Sequence, residues 1–127
     1  MTDRLTAFAP IMLGITRIMA GLLFLAHGTQ KMFAFPATDW QPDTLSLAWW
    51  AGVIEIVTGI LIAVGFMTRP AAFLASGTMA AAYWIAHAPQ DFFPTNNNGD
   101  AAVLYCFFFL YLVFAGAGGL SVDGARK

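Results

Sequence analysis

Four long stretches of the chain carry almost no charge, and this pattern limits the fold more than any other feature of the sequence. The stretches cover residues 10–35, 47–66, 70–88 and 101–119. Each is about 18 to 25 residues long, the length at which a helix crosses roughly 30 Å of hydrocarbon. The pattern predicts an all-α integral membrane protein, a four-helix bundle that forms one domain over residues 1–127.

The composition also favours lipid over water as the surroundings of these helices. Hydrophobic residues make up 59% of the chain and charged residues 10%, whereas a soluble domain carries about 25% charged residues. A soluble bundle would need a polar face on each helix, and residues 71–86 and 102–117 show none. The net charge of −1 gives no basis for nucleic-acid binding. The single cysteine, Cys106, excludes an internal disulfide and Cys-x-x-Cys chemistry.

The basic residues indicate how the helices are oriented. Arg4 precedes the first stretch, Arg69 lies between the second and the third, and Arg126 and Lys127 follow the fourth. Because cytoplasmic loops are enriched in Lys and Arg, both termini are predicted to lie in the cytoplasm. Aromatic residues cluster toward the opposite, outer ends, as in an interfacial belt: Trp40, Trp49, Trp50, Trp84, Phe92 and Phe93.

The first two stretches place glycines and charges on the same face. In each helix, heptad spacing puts the glycines at one seam position and the charged and large apolar residues at the other. The first helix has Gly14, Gly21 and Gly28 at one position and Arg17, Phe24 and Lys31 at the other. The second helix has Gly52 and Gly59 at one position and Glu55 and Ile62 at the other. Small residues let helix backbones approach closely in membranes, and a charge that faced lipid would cost a few kcal/mol or more. We therefore expect this face to lie between helices, with the charges directed inward.

The charged seam residues lie at different depths in the membrane. The helical rise puts Arg17 roughly 9 Å, Glu55 roughly 18 Å and His27 roughly 24 Å from the cytoplasmic boundary. Lys31 is near enough to the outer boundary for its ammonium to extend to the surface. Two interpretations of Arg17 and Glu55 stay open at this point. They form a buried ion pair that fixes the helix register, or they form the catalytic core of a redox or proton site.

The outer half of the seam carries hydrogen-bond donors between aromatic residues. In chain order these donors and aromatic residues are His27, Gln30, Lys31, Trp49, Trp50 and Trp84. A quinone head needs donors for its two carbonyls and a surface on which its ring can stack, so these residues are the candidate quinone-binding site. The alternative is that the histidine only contacts water or backbone at the interface. The sequence holds no flavin, iron–sulfur or metal motif, so neither a metal nor a covalently bound cofactor is expected.

An ordered set of short motifs resembles the DoxX family of small bacterial membrane proteins and runs from Arg17 to Asp123. The set comprises Arg17, Gly21, His27, Gly28, Lys31, Glu55, Gly59, Gly65, the segment 68–72, the outer-loop residues Pro89, Pro94, Asn98, Gly99 and Asp100, and the tail residues Gly116, Gly118 and Asp123. Asp100 stands where the family pattern has Glu, and Thr58 stands where a second Gly is common.

The resemblance implies a multi-pass protein of the bacterial cytoplasmic membrane that is linked to redox chemistry. The family is similar to the membrane subunit of a thiosulfate:quinone oxidoreductase, and its members are associated with oxidative and thiol stress. The leading hypothesis is support of electron transfer with the quinone pool, together with a redox-enzyme partner or as a homo-oligomer. Whether the chain is itself an enzyme is left open. The alternatives are a non-enzymatic membrane anchor or assembly subunit with structural buried charges, and a small transporter or proton-conducting bundle.

Overall fold

The computed structural model describes residues 2–126, and within them every regular element is helical, with no strand. The elements are α1 (Thr2–Ala7), α2 (Ala9–Phe33), α3 (Leu47–Val64), α4 (Thr68–Ala82), α5 (Asp100–Ala115) and α6 (Val122–Ala125). Helix α4 continues directly into a π-helical turn, Tyr83–His87. The all-α prediction is therefore confirmed.

Local sequence signals explain where the long helices begin and end. Pro10 lies in the first turn of α2, where its missing N–H costs nothing. Ser46 caps α3 by accepting a hydrogen bond from the backbone N–H of Trp49 at 3.2 Å. Gly65 ends α3 in the left-handed conformation, with a φ of 71°. Gly116, with a φ of 81°, stops α5 at Ala115, four residues before the predicted end at residue 119.

Helices α2 and α3 are long and apolar enough to cross a membrane. They contain 25 and 18 residues, and their bounds agree closely with the predicted stretches 10–35 and 47–66. Helix α5 is also apolar but contains only 16 residues, and the third stretch is divided between α4 and the π-helical turn. The four-crossing bundle with cytoplasmic termini stays a prediction.

Consecutive long helices pack against each other, α2 on α3, α3 on α4 and α4 on α5. The buried apolar core comprises Phe24, Ile62, Ala71, Ala72, Ala75, Met79, Ala102, Phe109 and Leu112. Helices α2 and α5 meet through aromatic side chains, with the Phe24 ring centroid 5.3 Å from Tyr105 and 4.9 Å from Phe109. This aromatic contact spans a wider gap than the direct backbone packing of α2 on α3.

Helices α2 and α3 approach backbone to backbone at glycines. A Cβ atom at Gly21 would lie 2.6 Å from the backbone nitrogen of Ala63, and one at Gly28 would lie 2.9 Å from the carbonyl oxygen of Gly52. The buried residues of the two helices are Gly14, Arg17, Gly21, Phe24 and Gly28, then Gly52, Glu55, Thr58, Gly59 and Ile62. The predicted seam of glycines and inward-facing charges is therefore confirmed.

We expect Gly21→Ala to destabilise the fold by about 1 to 3 kcal/mol, because the new methyl group overlaps the backbone of α3. Gly77→Ala is the matched control, since no atom lies within 4 Å of a Cβ at that position of α4. Thermal unfolding in detergent should show a lower midpoint for Gly21→Ala. The midpoint of Gly77→Ala should stay unchanged or rise with the higher helix propensity of alanine. Equal midpoints would contradict a stabilising α2–α3 contact.

Candidate functional site

Two charged residues nearest the outer half of the seam, partly buried Lys31 and buried Glu55, form an ion pair. The Nζ atom of Lys31 donates to Oε1 of Glu55 at 2.6 Å, and the Glu55 side chain is only 1% exposed. Gly52 makes room for the stem of Lys31, since a Cβ on Gly52 would lie 3.1 Å from the Cβ of Lys31. The expectation that Lys31 extends to the outer surface is wrong. The ammonium turns inward because a buried carboxylate needs a compensating charge.

The second carboxylate oxygen of Glu55 has no such contact. Within residues 2–126, Oε2 is buried and has no hydrogen-bond partner. His27 on α2 and Tyr105 on α5 pack their rings edge to face, with centroids 5.9 Å apart. Glu55 itself presents one carboxylate oxygen paired with Lys31 and one without a partner among residues 2–126.

Two cavities share the lining residue Leu23 on α2. The smaller cavity, about 180 Å³, is lined by Leu23, Ala26, His27, Gln30 and Pro36. The larger is an apolar groove of about 610 Å³ between α2 and α5, lined by Ile15, Thr16, Met19, Ala20, Leu23, Ala101, Leu104, Tyr105 and Phe108. The arrangement combines a small cavity with polar side chains and an open apolar groove, which suits a ligand with a polar head and an apolar tail.

The predicted site residues are only partly brought together. His27, Gln30 and Lys31 share the outer end of α2, and His27 and Gln30 line the smaller cavity. Trp49 and Trp50 stack edge to face at the start of α3, with centroids 4.8 Å apart. Trp84 lies in the π-helical turn and is 71% exposed. None of the three tryptophans lines the cavity beside His27, and their contact with a ligand stays a prediction.

The chemistry available for holding a ligand is that of hydrogen bonding and charge. Among residues 2–126, no group of three or more His, Cys, Asp or Glu side chains is arranged to hold a metal ion. The imidazole of His27 and the amide of Gln30 line the smaller cavity, whereas Lys31 and Glu55 line neither cavity. Both His27 and Gln30 can donate a hydrogen bond to a carbonyl oxygen of a ligand.

The outer loop is folded around Asn97, which is fully buried. Its side-chain amide donates to the carbonyl of Asp91 at 3.0 Å and to the hydroxyl of Tyr83 at 3.3 Å. Its carbonyl oxygen accepts from the backbone N–H of Gly99 at 2.8 Å, and its own backbone carbonyl lies 2.9 Å from Nδ1 of His87. Asn97 therefore ties the loop to the π-helical turn.

The predicted outer-loop residues lie around this anchor. Gly99 packs against the ring of Tyr83, where a Cβ would lie 2.7 Å from ring atoms, and its N–H also reaches the carbonyl of Pro94 at 3.3 Å. Asn98 adopts a φ of 60°, and Asp100 begins α5. Sequence reasoning missed the central role of Asn97, for which its place in a run of three asparagines was the only signal.

Arg17 is completely buried, and its contacts are with backbone carbonyls. Nε donates to Ile62 near the end of α3 at 2.9 Å. The two terminal nitrogens donate to the carbonyls of Ala117, Gly119 (3.0 Å) and Leu120 (2.7 Å). The ion pair between Arg17 and Glu55, which is one of the two interpretations left open by the sequence, is therefore not formed. A catalytic role for Arg17 stays a prediction.

Residues 116–126, here called the C-terminal strap, are tied to the rest of the fold at further points. The carboxylate of Asp123 accepts from the backbone N–H groups of Met67 at 3.0 Å and Thr68 at 2.9 Å, which caps α4. Burial pushes the pKa of Asp123 upward, but these hydrogen bonds and the charge of Arg126 outweigh it and lower the pKa below its ordinary value. The N–H of Gly119 also donates to the carbonyl of Pro10 at 2.8 Å.

We expect Arg17→Lys to destabilise the protein by about 1 to 3 kcal/mol or more, because one ammonium cannot reach carbonyls on two separate segments and leaves some of them unpaired. Arg4→Lys is the matched control, since Arg4 is exposed on α1. Amide hydrogen exchange should become faster in the C-terminal strap of Arg17→Lys alone. Equal exchange in both variants would contradict the contribution of Arg17.

Comparison with known proteins identifies the family of this chain. Residues 12–88 match the DoxX family. An uncharacterized protein of Haemophilus influenzae is 40% identical over 129 residues, which cover 95% of each chain. The inner membrane protein YphA of Escherichia coli is 32% identical over 128 residues, which cover 92% of this chain and 91% of YphA. No solved structure matches the chain significantly. The resemblance seen in the sequence is thereby confirmed, and this chain is a membrane protein of the DoxX family.

Proposed function

We propose that the protein binds a quinone and supports electron transfer with the quinone pool. The observation that carries this proposal is the ion pair between partly buried Lys31 and buried Glu55, with one carboxylate oxygen left without a partner among residues 2–126. Paired, desolvated groups of this kind are typical of sites that bind or move protons. Quinone chemistry needs such groups because its reduction and oxidation add and remove protons at the ring oxygens.

The two adjoining cavities support a quinone rather than a small polar ligand. A quinone head fits beside His27 and Gln30, whose side chains donate hydrogen bonds to its carbonyls, while Lys31 lies within the same turn of α2. The isoprenoid tail then follows the apolar groove between α2 and α5, which holds about 610 Å³. Leu23 lines both cavities and marks the junction of head and tail.

The proposal includes a partner that delivers or removes the electrons. The family resemblance to the membrane subunit of a thiosulfate:quinone oxidoreductase supports such a partner, as does the association of the family with oxidative and thiol stress. In this arrangement the DoxX-family chain provides the quinone site inside the bilayer. A redox-enzyme partner provides the donor or acceptor centre, and copies of this chain can assemble around the same complex.

We also propose that the chain crosses the cytoplasmic membrane four times, with both termini in the cytoplasm. The distribution of Arg4, Arg69 and Arg126 supports this orientation. The strap supports it further, since Asp123 and Gly119 hold the C-terminal residues against the α3–α4 turn and the start of α2. These contacts require all three segments to lie on one side of the membrane.

The topology is tested by labelling single cysteines in a Cys106→Ala background with a membrane-impermeant maleimide. Thr95→Cys in the outer loop should react in intact cells, and Asp3→Cys in α1 should react only after the membrane is opened. Both positions are exposed, so accessibility of the side chain does not limit the reaction. Labelling of Asp3→Cys in intact cells would contradict cytoplasmic termini.

A second candidate function is a non-enzymatic anchor or assembly subunit. One observation favours it specifically, because Arg17 places its donors on backbone carbonyls and so holds the fold together. If the Lys31–Glu55 ion pair likewise only holds the helices together, neither Lys31 nor Glu55 is available for a ligand. The purified protein would then carry no quinone, and Glu55→Gln would change only its stability.

We expect Leu23→Trp to lower the amount of quinone that copurifies with the protein in mild detergent by about tenfold, or about 1.4 kcal/mol in affinity. The indole fills the junction of the two cavities. Leu22→Trp is the matched control, because the exposed fraction of Leu22 is 48%, close to the 52% of Leu23, but Leu22 lines neither cavity. Mass spectrometry of extracted lipids measures the ratio of quinone to protein.

Glu55→Gln should also lower this ratio, because the amide cannot keep the ion pair with Lys31. Unfolding midpoints of all variants show whether a loss of quinone comes from the site or from a general loss of structure. Equal quinone contents in Leu23→Trp, Leu22→Trp and the parent protein would rule out the junction as the site. A parent protein without quinone would favour the structural subunit.

A further inference from the structure

We propose that a third cavity binds the headgroup of a zwitterionic phospholipid, with the phosphate at Arg69 and a primary ammonium at Asp123. The chemistry recognised is that of a phosphoethanolamine group, which carries both charges in one molecule. This cavity shares no lining residue with the two cavities of the proposed quinone site. The proposed lipid site is therefore independent of the proposed quinone site.

The third cavity lies where several helices begin or end. Its volume is about 690 Å³, and its walls come from the start of α2, the first turn of α4, the end of α5 and the C-terminal strap. This volume is within the range of about 300 to 1,000 Å³ that is typical of ligand sites. The charged residues that line it are Arg69 and Asp123.

The guanidinium of Arg69 is held in place at the end of α5 but only partly used. Nη1 donates to the carbonyl oxygens of Val113 at 2.8 Å and Phe114 at 3.0 Å, in the last turn of α5. Nη2 and Nε form no hydrogen bond with residues 2–126. Nη2 lies beside Gly116 at the cavity wall, where a Cβ would be 3.1 Å from it. Arg69 therefore keeps N–H donors for a phosphate, which a guanidinium binds through parallel hydrogen bonds.

The carboxylate of Asp123 is likewise fixed but not saturated. One oxygen accepts from the N–H of Met67 at 3.0 Å and the other from the N–H of Thr68 at 2.9 Å. Because an ionised carboxylate has about four acceptor sites, these two hydrogen bonds leave acceptor capacity unused. A primary ammonium has three N–H donors and a positive charge, so it suits the acceptor sites that remain.

These opposite charges line one cavity without contacting each other. Arg69 and Asp123 form no ion pair, since the ion pair found within residues 2–126 joins Lys31 and Glu55. An anion alone would be attracted by Arg69 and repelled by Asp123, and a cation alone would meet the reverse. A ligand that carries a phosphate and an ammonium satisfies both residues. The charge pattern of the cavity therefore favours a zwitterion.

Apolar residues beside Arg69 favour a lipid over a soluble phosphoethanolamine ester. Phe73 lies four residues after Arg69 on the same face of α4 and is 67% exposed. Phe114, whose carbonyl accepts from Arg69, is 75% exposed near the end of α5. In a membrane protein, exposed aromatic rings near helix ends contact lipid at the level of the headgroups. The headgroup then occupies the cavity, and the acyl chains extend along these rings.

The experiment measures the binding of three phospholipids to the purified parent protein in mild detergent by native mass spectrometry. The lipids have identical acyl chains. Phosphatidylethanolamine has the phosphate and a primary ammonium, phosphatidylcholine keeps both charges but has no N–H donor, and phosphatidylglycerol has no cation. We expect phosphatidylethanolamine to bind at least about tenfold more tightly than the other two, because only its ammonium donates to Asp123. Soluble O-phosphoethanolamine at the same concentration should not displace it, since this ester has no acyl chains.

Two variants assign the two ends of the headgroup. Asp123→Asn should reduce the preference for phosphatidylethanolamine over phosphatidylcholine to about twofold or less, and Arg69→Gln should weaken binding of all three lipids by about tenfold. Asp3→Asn and Arg4→Gln are the matched controls, since both residues are exposed on α1 and do not line the cavity. Unfolding midpoints identify any variant whose loss of binding comes from a damaged fold. The comparison of headgroups on the parent protein needs no variant.

Each contrary outcome overturns a defined part of the proposal. Equal affinities for the three lipids would overturn the site and leave only lipid bound along the apolar surface. Tighter binding of phosphatidylglycerol would overturn the role of Asp123. A preference for phosphatidylethanolamine that persists in both Asp123→Asn and Arg69→Gln would overturn the location, and displacement by O-phosphoethanolamine would overturn the lipid as the occupant. The quinone content of the same samples tests the proposed function separately.

Discussion

The close approach of α2 to α3 is the constraint on which the other features depend. Glycines remove the side chains that would hold the two backbones apart, and a Cβ at Gly21 or Gly59 would lie within 3 Å of the facing backbone. At one end this approach brings the carbonyl of Ile62 to Arg17. At the other end it brings Glu55 to Lys31. A wider separation would lengthen both contacts, so the structural clamp and the candidate site share one geometric origin.

The two buried charges of the seam are satisfied to different degrees. Arg17 directs its guanidinium to four carbonyl oxygens and forms a completed cluster. Glu55 uses one oxygen for Lys31 and leaves the other without a partner among the described residues. Native proteins satisfy nearly all buried polar atoms, so a buried oxygen without a partner needs an explanation of its own. This contrast, rather than burial alone, distinguishes the proposed ligand-binding charge from the charge that holds the helices.

How far the sequence predicts the structure depends on whether side chains or backbone groups make the contact. The seam was predictable because glycine spacing and charge position follow from helical periodicity. The partners of Arg17 were not predictable, since they are backbone carbonyls at 117–120, and every residue type has a backbone carbonyl. The same limit applies to Asn97, whose partners include the carbonyl of Asp91. The inward turn of Lys31 depends on the space above Gly52, which appears only once the helices are packed.

The Arg17 contacts also impose an order on biosynthesis. Three of its four carbonyl partners lie 100 to 103 residues further along the chain. At a synthesis rate of about 5 to 20 residues per second, the ribosome needs about 5 to 20 s to make that interval. During this time the guanidinium of α2 has at most the carbonyl of Ile62 and must otherwise be solvated by water, headgroups or the insertion machinery. The nascent chain therefore completes the contacts of its buried cation only after residues 117–120 have been made, and their carbonyl groups convert a costly intermediate into the stable fold.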